Sequence, residues 1–264
     1  THFRVTGGEP LVRRGCTDFV GQLKTLPGVE TVALTTNGIL LGQELDALCT
    51  AGVDGVNISL DSLDPERYGR LAATNHTPGE VLEQVERCVE KGVPVKLNAV
   101  LLDETAEEIP HLADLAARLS VDVRFIELMP IGLGASMTGI GAAEALVRLQ
   151  RAYPDLHQVD ECRGSGPARY WASGRLLGRI GFITAVSREF CGGCNRVRLT
   201  STGQLKPCLC FEEGADLRRL LRQGAAPQEL RAAMAACIAA NPRQHCFARR
   251  RDMTEHHNMN QIGG

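Results

Sequence analysis

The sequence predicts an α/β fold in which parallel strands curve into a partial barrel, followed from residue 136 by a smaller α+β domain. Three observations predict it. Apolar strand-like runs alternate with amphipathic helical stretches up to about residue 130, the rhythm of parallel strands joined by short connections. Polar residues gather where each of five such runs ends, and in α/β proteins that edge faces the site. Beyond residue 135 the rhythm breaks into a Gly-rich stretch, short strands and two helices.

In chain order, the strands are expected at residues 3–6, 31–35, 55–60, 94–101 and 121–128. Their polar ends are Thr6-Gly7-Gly8-Glu9, Thr35-Thr36-Asn37-Gly38, Ser59 with Asp61, Lys96 with Asn98, and Glu127. Five strands delivering polar groups to one rim suit a partial barrel better than an open sheet with one switch point. Between them, Val81, Leu82, Val85 and Val89 share one helix face, as do Ile109, Leu112, Leu115 and Leu119. Asp64 is a cap ahead of Pro65, and Ala51-Gly52 and Lys91-Gly92 are C-terminal glycine stops. The Gly-rich residues 132–141 lead into a helix over 142–152, strands near 169–172, 179–185 and 197–200, and helices over 215–222 and 227–240. Residues 1–5 already read as strand running into Gly7-Gly8, without an initiator Met, so the fold is expected to begin upstream of residue 1.

Composition narrows the function. A 264-residue chain with 44% hydrophobic and 23% charged residues can build a full core. A net charge of −2 gives no global field for nucleic acid or an anionic membrane. No run approaches a membrane span and no signal peptide opens the chain, so a cytoplasmic location is expected, with neither nucleic acid nor membrane as partner. The Arg249-Arg250-Arg251 run has no aromatic-rich strand beside it and reads as a basic tail.

Ten cysteines in a reducing compartment suggest metal where they cluster and core packing where they scatter. Cys191-Gly192-Gly193-Cys194 and Cys208 form C-x2-C-x13-C, with a hairpin around Ser201-Thr202-Gly203 returning Cys208 to the pair. Three thiolates alone would leave one iron of a four-iron cluster open to substrate. Cys210 could instead complete a closed four-thiolate zinc site, and spacing alone does not choose between them. Cys49 and Cys88 fall in helical patterns and read as small core residues.

Arg4 and Lys96 sit in otherwise apolar strands, where a cation needs a carboxylate or an anionic ligand. Glu9, Asp61 and Glu127 are the carboxylates that could make these structural ion pairs. Arg196 and Arg198 alternate along one strand just after Cys194, which suits a polyanionic nucleotide meeting a metal.

The longer strings resemble a known family. Thr6-Gly7-Gly8-Glu9-Pro10 is similar to the GGEP-type motif of radical S-adenosylmethionine enzymes. Asn57-Ile58-Ser59-Leu60-Asp61-Ser62-Leu63, Val95-Lys96-Leu97-Asn98, Arg124-Phe125-Ile126-Glu127-Leu128-Met129, Phe190 to Arg198 and Gly263-Gly264 narrow the resemblance to the GTP 3′,8-cyclases of molybdenum cofactor biosynthesis. It runs through essentially the whole chain in order. It implies a partial (β/α)6 TIM-like barrel lacking its first strand over 1–135, then a domain over 136–264 with an auxiliary cluster and a double-glycine tail. It implies two [4Fe-4S] clusters in the parent protein, one in this chain on Cys191, Cys194 and Cys208, with Cys210 a bystander. S-adenosylmethionine is implied at Gly8, Ser59 and Met129, and GTP at Arg4, Thr35, Lys96, Arg196 and Arg198, with Arg124 near the triphosphate. Gly263 and Gly264 inherit a tail that supports catalysis. The implied reaction converts GTP to 3′,8-cyclo-7,8-dihydro-GTP: a 5′-deoxyadenosyl radical takes hydrogen from C3′, and the ribose radical attacks C8.

The implied partners are a reductase or flavodoxin-type electron donor, a downstream cyclic pyranopterin monophosphate synthase and a second copy in a homodimer. The family's C-x3-C-x2-C motif for the first cluster is not in these residues, so the chain alone is expected to be inactive. Two other readings remain open at this point. One is a different radical S-adenosylmethionine enzyme with an auxiliary cluster, such as a peptide-modifying one; the other is a non-enzymatic zinc module.

Overall fold

The computed structural model describes residues 1–264 apart from 189, 190, 192, 193, 243–246, 248–252, 256, 263 and 264. Its residues pack as two compact units, one of Thr1–Leu128 with Thr138–Thr184, the other of Met129–Met137 with Ala185–Gly264. Among the described residues no helix is long and apolar enough to cross a membrane.

The first unit is built on an eight-stranded sheet. Its strands are β1 (His2–Val5), β2 (Thr31–Thr36), β3 (Gly55–Ser59), β4 (Val95–Leu101), β5 (Asp122–Glu127), β6 (His157–Val159), β7 (Arg169–Ala172) and β8 (Ile180–Ile183), in the order β1-β2-β3-β4-β5-β8-β7-β6. β1 to β5 and β8 run parallel, and β7 and β6 add antiparallel at one edge. The fold is the expected α/β one, with parallel strands dominating.

Strand sequence explains where the core lies. In β2, Val32, Leu34 and Thr36 are buried while Thr31, Ala33 and Thr35 are not, and β4 alternates in the same way. A parallel sheet with helices on both faces needs apolar residues throughout. Here one face is apolar and the other carries Thr35, Asn57, Lys96 and Asn98, so only one face takes the helices. Those helices are α1 (Cys16–Thr25), α2 (Leu41–Thr50), α3 (Pro65–Ala72), α4 (Pro78–Glu90), the short α5 (Ile109–Ala113) and α6 (Leu115–Arg118), and α7 (Ala142–Ala152). Leu41, Leu45, Leu48, Val81, Val85 and Cys88 join Val32, Leu34, Ile58 and Leu97 in one apolar core. Cys88 is thus a core residue, as its helical position predicts, whereas Cys49 is exposed.

Local signals set the helix ends. The Asp64 carboxylate accepts from Arg67 N at 2.8 Å, with Pro65 in the first turn of α3. Thr77 and Glu80 form a reciprocal capping box on α4, Glu80 accepting from Thr77 N at 2.6 Å. Gly52 and Gly92 stop α2 and α4 at φ of 79° and 71°, a backbone region that favours glycine.

Two differences from the sequence reading concern this unit. Residues 138–184 pack with the first unit rather than with the chain beyond, because β8 hydrogen-bonds in parallel to β5 from Val123↔Ile180 to Ile126↔Ile183. The other concerns Lys96, which was expected at a strand's C-terminal end and lies instead near the start of β4. The register gives the reason. Thr35 pairs across to Asn57, Asn57 to Lys96 and Lys96 to Asp122, so one row runs from near the end of β2 to the first residue of β5. That stagger is the tilt of strands in a barrel. The polar row is therefore set by shear across the sheet, not by strand ends.

The second unit holds a three-stranded antiparallel sheet, β11-β10-β9, of β9 (Arg198–Leu199), β10 (Gln204–Lys206) and β11 (Ala215–Asp216). Its described α-helices are α8 (Leu217–Arg222), α9 (Pro227–Ala239) and α10 (Met259–Ile262). The β9–β10 hairpin turns at Ser201-Thr202-Gly203, as expected, with Gly203 at φ 85°. Residues 215 and 216 form β11 rather than the start of a helix; the Asp216 carboxylate caps α8 by accepting from Arg219 N at 2.8 Å. Arg196 lies ahead of β9 and only Arg198 is in the strand, which corrects the expectation that both alternate along it.

Candidate functional site

In the first unit the polar face carries a connected network around Arg124. This side chain is 3% exposed. Its Nη2 donates to Asn57 Oδ1 at 2.6 Å and its Nε to Asn98 Oδ1 at 2.9 Å. Asn57 Nδ2 in turn donates to Leu34 O at 3.1 Å and to Thr35 Oγ1 at 3.3 Å. Tyr170 of β7 also acts on the same guanidinium. Burial pushes the Arg124 pKa below its ordinary value, and Tyr170 and Asp122 work against that. Thr35 and Arg124, singled out separately in the sequence, thus meet through Asn57.

Lys96 lies one register step away, half-buried. Its Nζ donates to the Arg163 carbonyl, and a Cβ on Gly164 would lie 3.0 Å from that nitrogen. Burial lowers the Lys96 pKa, and the nearby Arg124, Arg4 and Arg163 lower it further against the pull of Asp122. Arg163 Nε contacts Asp122 Oδ2 at 3.2 Å, and Asp122 Oδ1 accepts from Arg179 N at 3.1 Å. Four cations, Arg4, Lys96, Arg124 and Arg163, therefore influence one region in which Asp122 is the acid that acts on Lys96. Such a crowd is costly without an anion to share.

The three carboxylates proposed as structural partners for these cations each accept hydrogen bonds from backbone or hydroxyl donors. Glu9 accepts from Thr36 Oγ1 at 2.8 Å, Asn37 N at 2.7 Å and Leu11 N at 2.9 Å, pinning the Gly7-Gly8-Glu9-Pro10 turn to the end of β2. Asp61 accepts from Val100 N at 2.7 Å, and burial raises its pKa. Glu127 accepts from Ala142 N at 3.1 Å, at the N-terminus of α7, where a carboxylate is favoured by the helix dipole. Ser59 pairs in register with Asn98, Gly8 lies exposed after β1, and Arg4 is exposed within it.

In the second unit two arginines lie beside the cysteines. Cys194 N donates to Cys191 O at 3.0 Å, and Arg196 Nη2 lies 3.6 Å from Cys194 Sγ. Burial lowers the Arg198 pKa and Arg196 adds to this, whereas Cys208, Cys194 and Cys210 raise it. Cys208 is drawn down to about 6, chiefly by a hydrogen bond from the Cys210 side chain, helped by the Cys210 and Leu209 amides and by Arg198. A thiol so lowered is largely thiolate at neutral pH, the form that binds soft metals. Cys210 itself is 0% exposed, held in an apolar cluster with Ile131, Ala185, Leu209, Phe247 and Ile262. Of the three expected ligands, Cys208 thus has the thiolate character an iron–sulphur group requires. Among the described residues no group of three or more His, Cys, Asp or Glu side chains is arranged as it stands to hold a metal ion. Met129 packs against this same apolar cluster in the second unit, while Gly8 and Ser59 belong to the first. Gly263 and Gly264 lie outside the described residues.

Sequence reasoning missed the roles of Asn57, Asn98 and Asp122, although all three were signalled by polar residues alternating with apolar ones in buried strands. Nothing in the sequence signalled Tyr170 or Arg163, which reach the network through the antiparallel edge and its loop.

Comparison with known proteins gives two family-model matches: the Radical SAM superfamily over residues 1–116 and Molybdenum Cofactor Synthesis C over residues 121–247. Curated relatives include a GTP 3′,8-cyclase of Clostridium perfringens, 39% identical over 99% of this chain and 81% of that protein. Another, from Heliobacterium modesticaldum, is 42% identical over the same shares. Similar solved structures include Streptococcus suis SuiB, with TM-score 0.47 and 19% identity over 57% of this chain and 35% of that one. A domain of pyruvate-formate lyase-activating enzyme from Bacteroides vulgatus has TM-score 0.44 and 18% identity over 58% of this chain and 91% of that one.

Proposed function

The chain belongs to the GTP 3′,8-cyclase family of radical S-adenosylmethionine enzymes, and from that premise we propose which of its residues do each part of the work. The reaction converts GTP to 3′,8-cyclo-7,8-dihydro-GTP, the first step of molybdenum cofactor biosynthesis. S-adenosylmethionine and iron–sulphur clusters, when bound, supply the one-electron chemistry that removes hydrogen from C3′ of the ribose.

The chain's own residues bind and orient. Arg4, Lys96 and Arg124 take the triphosphate, a polyanion that offsets the positive field acting on Lys96. Thr35 adds a hydroxyl contact to GTP, held in place by Asn57. Arg196 and Arg198 are the GTP contacts of the second unit, and Cys191, Cys194 and Cys208 hold a [4Fe-4S] cluster there, with Cys210 a hydrogen-bond donor rather than a ligand. Gly8, Ser59 and Met129 receive S-adenosylmethionine. Gly263 and Gly264 support turnover from the tail. A second cluster, a flavodoxin-type donor or reductase, a downstream cyclic pyranopterin monophosphate synthase, a homodimer and a cytoplasmic location complete the proposal. The observation that carries the assignment is the placing of Arg196 and Arg198 beside the cysteines: a peptide-modifying enzyme has no need of two guanidiniums there.

The test uses the complete gene product, loaded with iron and sulphide without oxygen. Incubation with GTP, S-adenosylmethionine and a reductant should yield the cyclised nucleotide by mass spectrometry, and GTP alone should shift the cluster's electron paramagnetic resonance. Zinc without iron, or a resonance indifferent to GTP, rejects the assignment. Arg196→Ala is expected to weaken GTP binding by about 1.5–3 kcal/mol, the size of a charged hydrogen bond. Calorimetric titration checks it, and an unaltered dissociation constant removes Arg196 from the site.

A further inference from the structure

The second unit contains a buried ion pair that nothing above uses. Lys206, at the end of β10 two residues before Cys208, contacts the Glu255 carboxylate, and their side chains are 5% and 0% exposed. Glu255 Oε1 also accepts from His257 N at 2.8 Å and pairs with His257 Nδ1 at 2.8 Å. Burying two charges is expensive, and breaking such a pair by neutralising one partner costs more than replacing both with apolar side chains. A pair of this kind ties its two segments together with a strong charge dependence.

Glu255 lies in a stretch that touches both chemically important segments of the unit. Toward the cysteines, Glu255 N donates to Cys210 O at 3.3 Å and Thr254 Oγ1 accepts from Glu212 N at 2.9 Å. Toward residues 129–137, Asn258 Oδ1 accepts from Leu133 N at 3.0 Å. A Cβ added to Gly132, at φ 53°, would lie 2.7 Å from Asn258 Cα, so the two backbones pass with no room for a side chain. Ile262 is buried in one apolar cluster with Ile131 and Leu209, and Met253 and Met259 pack on the same cluster as Met129 and Cys208.

We propose that the described residues 253–255 and 257–262 form a strap that clamps the Met129 segment to the Cys208 loop, with the Lys206–Glu255 pair as its fastening. Glu255 and Lys206 are then positioning residues. They fix the seat of S-adenosylmethionine at Met129 relative to the thiolate at Cys208 without touching either ligand. This rests on the assignments of Met129 and Cys208 made above. It also gives a mechanical basis for coupling the tail to turnover, since the strap is the segment from which the tail extends.

The test compares Glu255→Gln, the double variant Lys206→Met/Glu255→Leu, and Gly132→Ala, each as loaded complete gene product. Two readouts are taken: protease cleavage within 253–262, mapped by mass spectrometry, and the KM for S-adenosylmethionine beside kcat. Glu255→Gln should expose the strap to cleavage and raise that KM by about tenfold, as expected when a seat shifts by a fraction of an ångström. A merely less stable enzyme would lose active molecules and keep its KM. The double variant should restore both readouts towards the parent, and Gly132→Ala, acting from the opposite contact, should raise the same KM. An unchanged KM in Glu255→Gln or in Gly132→Ala, or a double variant no better than the single, overturns the proposal. Failure of the functional assignment shows differently, as a parent protein without GTP turnover, and the cleavage map still decides whether the pair fastens the strap.

Discussion

Replacing Cys208 with alanine is expected to remove about four irons per chain from the loaded protein and to abolish turnover, whereas Cys210→Ala leaves the iron in place. The structure gives the two cysteines, two residues apart, opposite characters. Cys208 is half-buried and drawn to about 6, chiefly by a hydrogen bond from Cys210, with Arg198 also acting against the cost of burial. Cys210 is enclosed by Ile131, Leu209, Phe247 and Ile262, where a bound metal would have to displace packed side chains. Losing Cys210 takes away a donor to the thiolate, so Cys210→Ala should perturb the cluster's resonance and not its stoichiometry. Iron and sulphide analysis of both variants, prepared without oxygen, decides the matter. Iron lost from Cys210→Ala would make that residue the ligand and return the closed zinc-type arrangement to consideration.

Arg124→Ala should be the most damaging change in the first unit, at about 3–5 kcal/mol of stability, the usual cost of breaking a buried charged network. Two amide oxygens, Asn57 Oδ1 and Asn98 Oδ1, lose their donor in the interior, and each orphaned acceptor costs about 1–3 kcal/mol. Lys96→Met makes the contrast. Lys96 gives its proton only to a loop carbonyl among the hydrogen bonds seen and sits among other cations, so its removal should weaken GTP binding without lowering the melting temperature. Thermal melts with and without GTP separate the two. Equal destabilisation by both variants would mean that the cations are held for structure and not for an anion.

What the sequence could show follows from which interactions are local. The Asp64-Pro65 cap, the glycine stops at Gly52 and Gly92 and the hairpin at Gly203 all depend on residues within a few positions, and all stand where they are read. The alternation in β2 and β4 likewise announces one apolar and one polar face. Register is not local. Lys96 could be assigned to a strand but not to a row, because the row depends on how far each strand slides past the next. Residues 180–183 read as a short apolar strand wherever they pair, so their place beside β5 was hidden, and with it the membership of 138–184. At the cysteines, spacing gave the thiols but could not rank Cys208 over Cys210, since that difference comes from burial and hydrogen bonding. The Lys206–Glu255 pair joins residues far apart in sequence and leaves no local mark.

The placing of β8 beside β5 has a practical consequence for anyone dividing the protein. A piece ending near residue 135 would keep five parallel strands yet leave β5 with a bare row of amide and carbonyl groups along Val123, Phe125 and its neighbours. Such an open margin invites pairing with other chains, so that piece should precipitate or form soluble aggregates on size-exclusion chromatography. A piece carried through Thr184 covers the margin with its own β8 and should elute as a discrete species, and so should a nascent chain only once it has been synthesised that far.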